Sequence, residues 1–389
     1  MQVDLGRLGF DEGGHLLVKQ CLRLVSVGDE IEVMGTAPEL ELHLRTWCRS
    51  EGHSFRRGEG SAVIGRGGAE TGRWAGSERA GGADAVLDHP PRKWGLAARG
   101  SKVEAGTPEF DFRLADKIEV WADEAPRIYA QAAAAQWDPQ TAVPWQAEFH
   151  IPDEVEDAVV QVMTYLIENE TAALIIPSRF IAQMHPHFRE VMQVLAIQAA
   201  DEARHIEIFT RRALLRRGSL GLSTVGGQAS LKTLVDEPDF AIASFLLSVL
   251  GEGSFLSLLW FIRQYAPDPV TEAVARLAAQ DEARHVAFGL AHLRQHVNRD
   301  PSIRGRLAEA VYRRHEALRH TAGLNAEVFD SLLLMAAGSW NHDNLRQGHR
   351  RVMELMRDMD EGRRSRLFRL GFSAQEAEEL SSLHTRNFM

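Results

Sequence analysis

Cysteine is nearly missing from this chain of 389 residues, which has only Cys21 and Cys48. The two form neither a C-x-x-C pair nor a disulfide framework, so a reducing cytoplasm is the expected compartment. Lysine is scarce as well: five of the 44 basic residues, the rest being arginine. That bias reads as high-GC coding and carries no functional meaning. A net charge of −10 leaves no dominant basic face, which argues against a nucleic-acid partner. The opening MQVDLGRLGFDEGG has no basic segment followed by an apolar stretch, so no signal peptide is expected. No flavin, nicotinamide or iron–sulfur motif is found, so electrons for any redox chemistry are expected from a separate protein.

Long apolar runs are almost absent too, and the exception is informative. Phe240 to Ile262 (FAIASFLLSVLGEGSFLSLLWFI) contains a single charge, Glu252. Its length fits a membrane span or a buried bundle helix equally well. A carboxylate at the centre of a bilayer costs roughly 2.5–3.5 kcal/mol and needs a reason. A metal supplies that reason inside a bundle, and no second span is expected, so no membrane partner is expected either.

What is present divides into three zones. The apolar fraction of 44% and charged fraction of 25% are those of a globular protein, and the length allows two domains. Residues 1–60 combine short β-like runs, such as Asp29 to Met34, with a helix expected from Pro38 to Glu51. Residues 61–110 are rich in Gly, Arg, Ser and Ala and read as a linker or loosely ordered arm. Residues 111–389 carry helical apolar stripes punctuated by Pro and Gly.

The pentapeptide DEARH occurs twice in this third zone, at Asp201–His205 and Asp281–His285. In a helix, Glu and His three residues apart share one face and can reach a common metal. One such pair is a weak signal, since surface pairs are as common. Two identical copies, each inside an apolar stripe, are harder to dismiss. A site of this type also needs one carboxylate from each of two further helices. Glu252 is the acid in the apolar run before the second motif. Before the first motif lie Glu168 and Glu170. Glu170 has Leu166, Ile167, Ala173 and Leu174 three and four residues away; Glu168 has the more polar Thr164, Tyr165, Thr171 and Ala172. Glu170 is therefore the expected inward carboxylate. The midpoint of Glu170 and Glu202 is Pro186, in MHPHF, and that of Glu252 and Glu282 is Pro267, in APDP. Both are turn signals. Two antiparallel hairpins would thus bring the acids level, about 20 Å from each turn at 1.5 Å per residue.

These residues resemble the ferritin-like, ribonucleotide-reductase-like di-iron carboxylate superfamily, and the doubled D-E-x-R-H form resembles its oxygen-activating members. The resemblance implies a mainly α fold, an antiparallel ferritin-like bundle with extra C-terminal helices. It implies two irons, with manganese an option at one position, held by Glu170, Glu202, His205, Glu252, Glu282 and His285, and dioxygen as co-substrate. It implies that Asp201 and Asp281 accept the second N–H of the opposite motif's histidine, and that Arg204 and Arg284 pair with those aspartates. Carboxylates suit Fe(III), and four of them against two Fe(II) give a neutral core. The reductase small subunits have a radical-forming tyrosine where this chain has Phe209, and arylamine N-oxygenases have a third histidine where it has Ala278. A monooxygenase or oxidase acting on a small organic molecule of specialised metabolism is the expectation that remains, with an external reductase or ferredoxin, and a homodimer as an option. Iron storage by ferroxidation, and a non-catalytic metal-binding protein, stay open as alternatives.

The first zone resembles the TusA-like sulfur-carrier family through Val27–Val33 and TAPELELHLRTWCRSEGHSF, which match that family's second strand, second helix and Gly-His turn. Its sulfur-accepting Cys-Pro-x-Pro is replaced by DEGG near Asp11, so a degenerate α/β module is expected. Of the remaining residues, His185 and His187 are expected at the surface, His292 and His296 on a helix exterior, and Trp137, Trp145 and Trp260 in the core. Pro177 is expected either to kink its helix and open a cavity or to end it early.

Overall fold

The computed structural model describes residues 1–319 and 326–383. Its chain divides into two compact units, Met1–Ala80 with Gly100–Pro108, and Gly81–Arg99 with Glu109–Met389.

The first unit is a small α/β layer. Strands β1 (Gln2–Asp4), β2 (Glu30–Met34), β3 (Ser54–Arg57) and β4 (Ala62–Gly65) form one sheet in the order β1-β2-β4-β3. β1 and β2 are parallel, which requires a crossover, and helix α1 (His15–Arg23) supplies it. The alternation in Glu30-Ile31-Glu32-Val33-Met34 puts Ile31 and Val33 on one face, beside Ile64 of β4, where Val18 and Leu22 of α1 and Leu44 and Cys48 of the next helix cover them. Helix α2 (Leu40–Glu51) ends at Gly52, whose φ of 74° suits the left-handed turn before His53. The DEGG stretch forms the first turn leading into α1, and Cys21 lies within that helix. The sheet extends beyond residue 60: β4 pairs with both β2 and β3. Ala62-Val63-Ile64-Gly65 is a four-residue strand among glycines, too short to show a period of its own. A two-stranded ribbon, β5 (Glu78–Arg79) with β6 (Lys102–Val103), adds further order to the glycine-rich zone.

The second unit is an antiparallel helical bundle. After α3 (Lys117–Val120) and α4 (Ala125–Ala134) come two long hairpins. The first joins α5 (Asp153–Ile181) to α6 (Arg189–Ala213) through the turn around Pro186. After α7 (Val225–Val235), the second joins α8 (Phe240–Gln264) to α9 (Pro269–Arg299), turning at Pro267 as the spacing predicts. Asp268 caps α9 by accepting from Val270 and Thr271 N–H, at 2.9 and 2.8 Å. Helices α10 (Ile303–Leu318), α11 (Ala326–Ala337), α12 (His342–Arg369) and α13 (Ala374–Ser382) complete the unit.

Three local features differ from expectation. Helix α8 is α-helical only at its ends, and Phe245–Glu252 is wound as a π-helix, so Glu252 closes an irregular segment. Helix α5 runs through Pro177 to Ile181, and the cavity beside that proline measures about 20 Å³. Both α5 and α8 are long and apolar enough to cross a membrane, where the sequence pointed to α8 alone. In the bundle, 72% and 83% of their most apolar stretches are buried. Asp153, Glu154 and Glu156 in the first turn of α5 break up the apolar pattern of that helix.

Candidate metal centre

Each half of the site comes from one hairpin. Helix α5 contributes Glu170, and α6 contributes Asp201, Glu202 and His205; α8 contributes Glu252, and α9 contributes Asp281, Glu282 and His285. All eight side chains are buried. Glu170 is 2% exposed while Glu168 is only half-buried, so the helical phase read from the apolar face holds.

The ligating atoms form two overlapping groups, each with every atom within 4.8 Å of the others. One is Glu170, Glu202, His205 and Glu282; the other is Glu202, Glu252, Glu282 and His285. Glu202 and Glu282 belong to both, the arrangement two neighbouring cations with two shared carboxylates require. His205 Nδ1 lies 3.1 Å from Glu202, 3.4 Å from Glu282 and 3.5 Å from Glu170. His285 Nδ1 lies 3.0 Å from Glu202 and 3.3 Å from Glu282.

The opposite ring nitrogens cross between the hairpins. His205 Nε2 is 3.2 Å from Asp281 Oδ2, and His285 Nε2 is 3.2 Å from Asp201 Oδ2. With Nε2–H donating to an aspartate, each Nδ1 presents its lone pair to the carboxylate cluster. Arg204 bonds Asp201 and reaches Asp281 at 3.2 Å; Arg284 bonds Asp281 and lies 3.9 Å from Asp201. All ten residues singled out from the sequence are therefore brought to one place.

The electrostatics show that this cluster is unbalanced by itself. Burial, then the charges of Glu202 and Glu282, push the Glu170 carboxyl well above its ordinary range. Burial, then Glu282, does the same to Glu252. Burial would lower both histidines, but the carboxylates around them win and raise His205 and His285 well above the usual imidazole range. Asp281 is held at about 2: burial opposes this, and the His205 hydrogen bond and charge overcome it. Glu170 Oε1 and Glu252 Oε2 are buried without a hydrogen-bond partner. Four carboxylates with such orphaned oxygens beside two imidazoles fit hard, oxygen-preferring divalent cations.

Sequence reasoning missed three supporting groups. Trp137 donates from Nε1 to Asp281 Oδ2 at 2.8 Å and stacks on His205, the rings 6.4 Å apart and within 12° of parallel. Gln136 donates to Asp201 Oδ1 at 3.0 Å. Both follow α4, outside the duplicated motif, and no periodicity marks them. Gln198 donates to Glu252 Oε1 at 2.9 Å, and its place one turn before Glu202 on the inward stripe was a readable signal. Of the other tryptophans, Trp145 is buried, while Trp260 is 41% exposed under Arg263 rather than in the core.

Four histidines expected outside are inside. His187 accepts from Leu87 N–H at 3.0 Å, and His185 accepts from His187 N–H at 3.1 Å, because residues 81–99 lie over the α5–α6 turn. Arg99 fastens that strap to Glu190, at 2.6 and 3.0 Å. His292 is fully buried, with Nε2 2.7 Å from the Glu119 carbonyl, and His296 is covered beside it. Burial pushes His187 and His292 down to about 4, so both are neutral supports of the fold.

Neither a protein-family model nor a curated protein matches this sequence. Solved structures similar to it are R2-like ligand-binding oxidases. A variant with an anaerobically reconstituted Mn/Fe cofactor is 19% identical, with a TM-score of 0.46 over 62% of this chain and 94% of its own. Another, with an aerobically reconstituted Fe/Fe cofactor, is 19% identical, with a TM-score of 0.44 over 66% and 94%. That from Sulfolobus acidocaldarius is 15% identical, with a TM-score of 0.43 over 66% and 94%. The chemistry of the site rests on its own side chains.

Proposed function

We propose that this chain is a dioxygen-activating non-haem di-iron oxidase or oxygenase, with manganese an option at one position, acting on a small organic substrate. The observation that carries it is the pair of overlapping carboxylate–histidine groups sharing Glu202 and Glu282, with orphaned oxygens on Glu170 and Glu252. Two bound irons would supply the one-electron steps that dioxygen requires of an organic partner. The chain's own part is to bind and orient. Glu170 and His205 serve one ion, Glu252 and His285 the other. Asp201 and Asp281 fix the tautomer of the opposite histidine, and Arg204 and Arg284 hold those aspartates in place. Gln198 occupies one oxygen of Glu252 and leaves the other free.

The cavity beside Pro177 is lined by Ile176, Phe180, Leu195, Gln198 and Phe288, so it abuts the Glu252 side of the site. At about 20 Å³ it holds no more than a water, and an apolar substrate enters there only as these side chains move. Electrons come from a separate reductase in a reducing cytoplasm, where the free Cys21 and Cys48 stay unpaired.

Anaerobic titration with Fe(II) is expected to saturate at two per chain, followed by dioxygen uptake when a reductant is present. Iron accumulating far beyond two would make this a storage protein. Two tightly held ions with no uptake would make the metals structural.

Trp137 gives electrons a hydrogen-bonded route from the half-buried indole through Asp281 to His205. Trp137→Phe is expected to keep both metals and to slow reductase-driven turnover roughly 10-fold or more, as losses of outer-sphere partners do. Steady-state rates with metal content measured in parallel check this, and an unchanged rate removes Trp137 from the path.

A further inference from the structure

Helix α12 reaches the site's most irregular element through one half-buried arginine. Arg366 donates from Nε to the Val249 carbonyl at 2.6 Å, inside the π-helical segment that ends at Glu252. Its Nη2 is buried without a hydrogen-bond partner, and no carboxylate lies within ion-pair distance of it among the described residues. Burial, then Arg363 and Arg369, push the guanidinium down to about 9, so it is charged at neutral pH yet paired with no acid. The space it fills is space that Gly253 leaves: a Cβ there would sit 2.3 Å from Arg366 Nε. The next carbonyl, that of Leu250, accepts from Ser254 Oγ at 2.7 Å. A π-helical turn departs from the i→i−4 ladder, and such irregular turns recur at functional sites. Here one carbonyl is held by a side chain from another helix, Arg366, and the next by a serine four residues along α8 itself.

We propose that Arg366 is a positioning residue: by bonding Val249 it clamps the π-helical register of α8 and thereby aims Glu252 at its metal. This rests on the metal-binding reading above. It gives the C-terminal helices a role in assembling the Glu252–His285 half of the centre, and it explains a glycine directly after the ligand. The clamp acts through the backbone, so its loss affects one metal position more than the other.

The test uses Arg366→Met, Arg366→Lys and Gly253→Ala in the full-length chain, read in two ways. Amide hydrogen exchange over residues 249–255 in the metal-free protein is expected to accelerate about 10-fold or more in Arg366→Met, while α5 and α6 keep their protection. Anaerobic Mn(II) and Fe(II) titrations are expected to show one of the two ions bound about 10–100-fold more weakly and the other little changed. Arg366→Lys retains a donor and recovers most of both signals. Gly253→Ala, which leaves both Glu252 and Arg366 in the sequence, reproduces the Met variant by expelling the guanidinium, and it decides the matter if Arg366→Met does not fold. Unchanged exchange with unchanged affinities, or exchange raised equally throughout the bundle, overturns the proposal. If the parent chain itself binds fewer than two metals, the metal reading fails, and the exchange measurement still decides the clamp.

Discussion

Glu170→Ala is expected to abolish oxygen uptake and to weaken one metal position by ~100-fold or more, beyond what losing an outer-sphere partner costs. Glu168→Ala is expected to keep both ions and most activity. The two acids are only two residues apart, but the helix separates their fates. Glu170 is buried, with Oε2 3.5 Å from His205 Nδ1, and Glu168 is on a different face with partial access to solvent. In the metal-free chain Glu170 is an acid held far above its ordinary range by burial and by two neighbouring carboxylates. Its removal relieves that repulsion, so the metal-free variant is expected to unfold at no lower temperature than the parent. Metal analysis, calorimetric titration and a melting curve together test this. Full occupancy in Glu170→Ala, or loss only in Glu168→Ala, would show that the α5 carboxylate does not serve as proposed.

Arg212→Met is expected to destabilise the chain by roughly 3–5 kcal/mol, the range for stripping one partner from a buried ion pair. Arg212 is among the largest fully buried side chains. Its guanidinium bonds both oxygens of Glu156 at 2.8 and 3.0 Å, Asp268 at 2.7 Å and Thr271 Oγ1 at 2.8 Å. Those partners lie at the start of α5, in the α8–α9 turn and in the first turn of α9, so one side chain near the end of α6 ties both hairpins together. Truncation leaves two carboxylates buried with no counter-charge. Glu156→Leu in the same background is expected to restore part of the loss, since it removes one of the stranded charges. Urea unfolding of the metal-free proteins measures both. A change below about 1 kcal/mol in Arg212→Met, the scale of an exposed pair, would show that the cluster does not hold the bundle. Because His205 is two helical turns from Arg212 on α6, metal affinity is expected to fall with stability in this variant.

The heart of the site was legible because it is local and repeated. Glu202 and His205 share a helix face by spacing alone, as do Glu282 and His285, and equal distances to Pro186 and Pro267 set the four acids level. Glu170 was separated from Glu168 by nothing more than the apolar residues three and four positions away. Glu252 stood out as the single charge in an apolar run. Helical periodicity carries all of this, and helical periodicity is a property of neighbours in sequence.

What periodicity could not carry was decided by contacts between residues far apart in the chain. His187 is sheltered by Leu87 and Arg99, about 100 and 88 positions away, and His292 by the Glu119 carbonyl at a separation of 173. Trp137 finds Asp281 across 144 residues. None of these partners shares a helix with its target, so a pattern that predicts exposure from helix faces places the histidines outside and gives the tryptophan no special role. The π-helical winding before Glu252 was hidden for the same reason: a run as apolar as FLLSVLG fits an α-helix locally, and it is Arg366, 117 positions beyond Val249, that bonds a carbonyl within the irregular turn. The sequence by itself determined which acids and histidines could meet a metal; the tertiary structure decided which groups hold them there, because buried polar atoms take whichever partner the packed chain brings within reach.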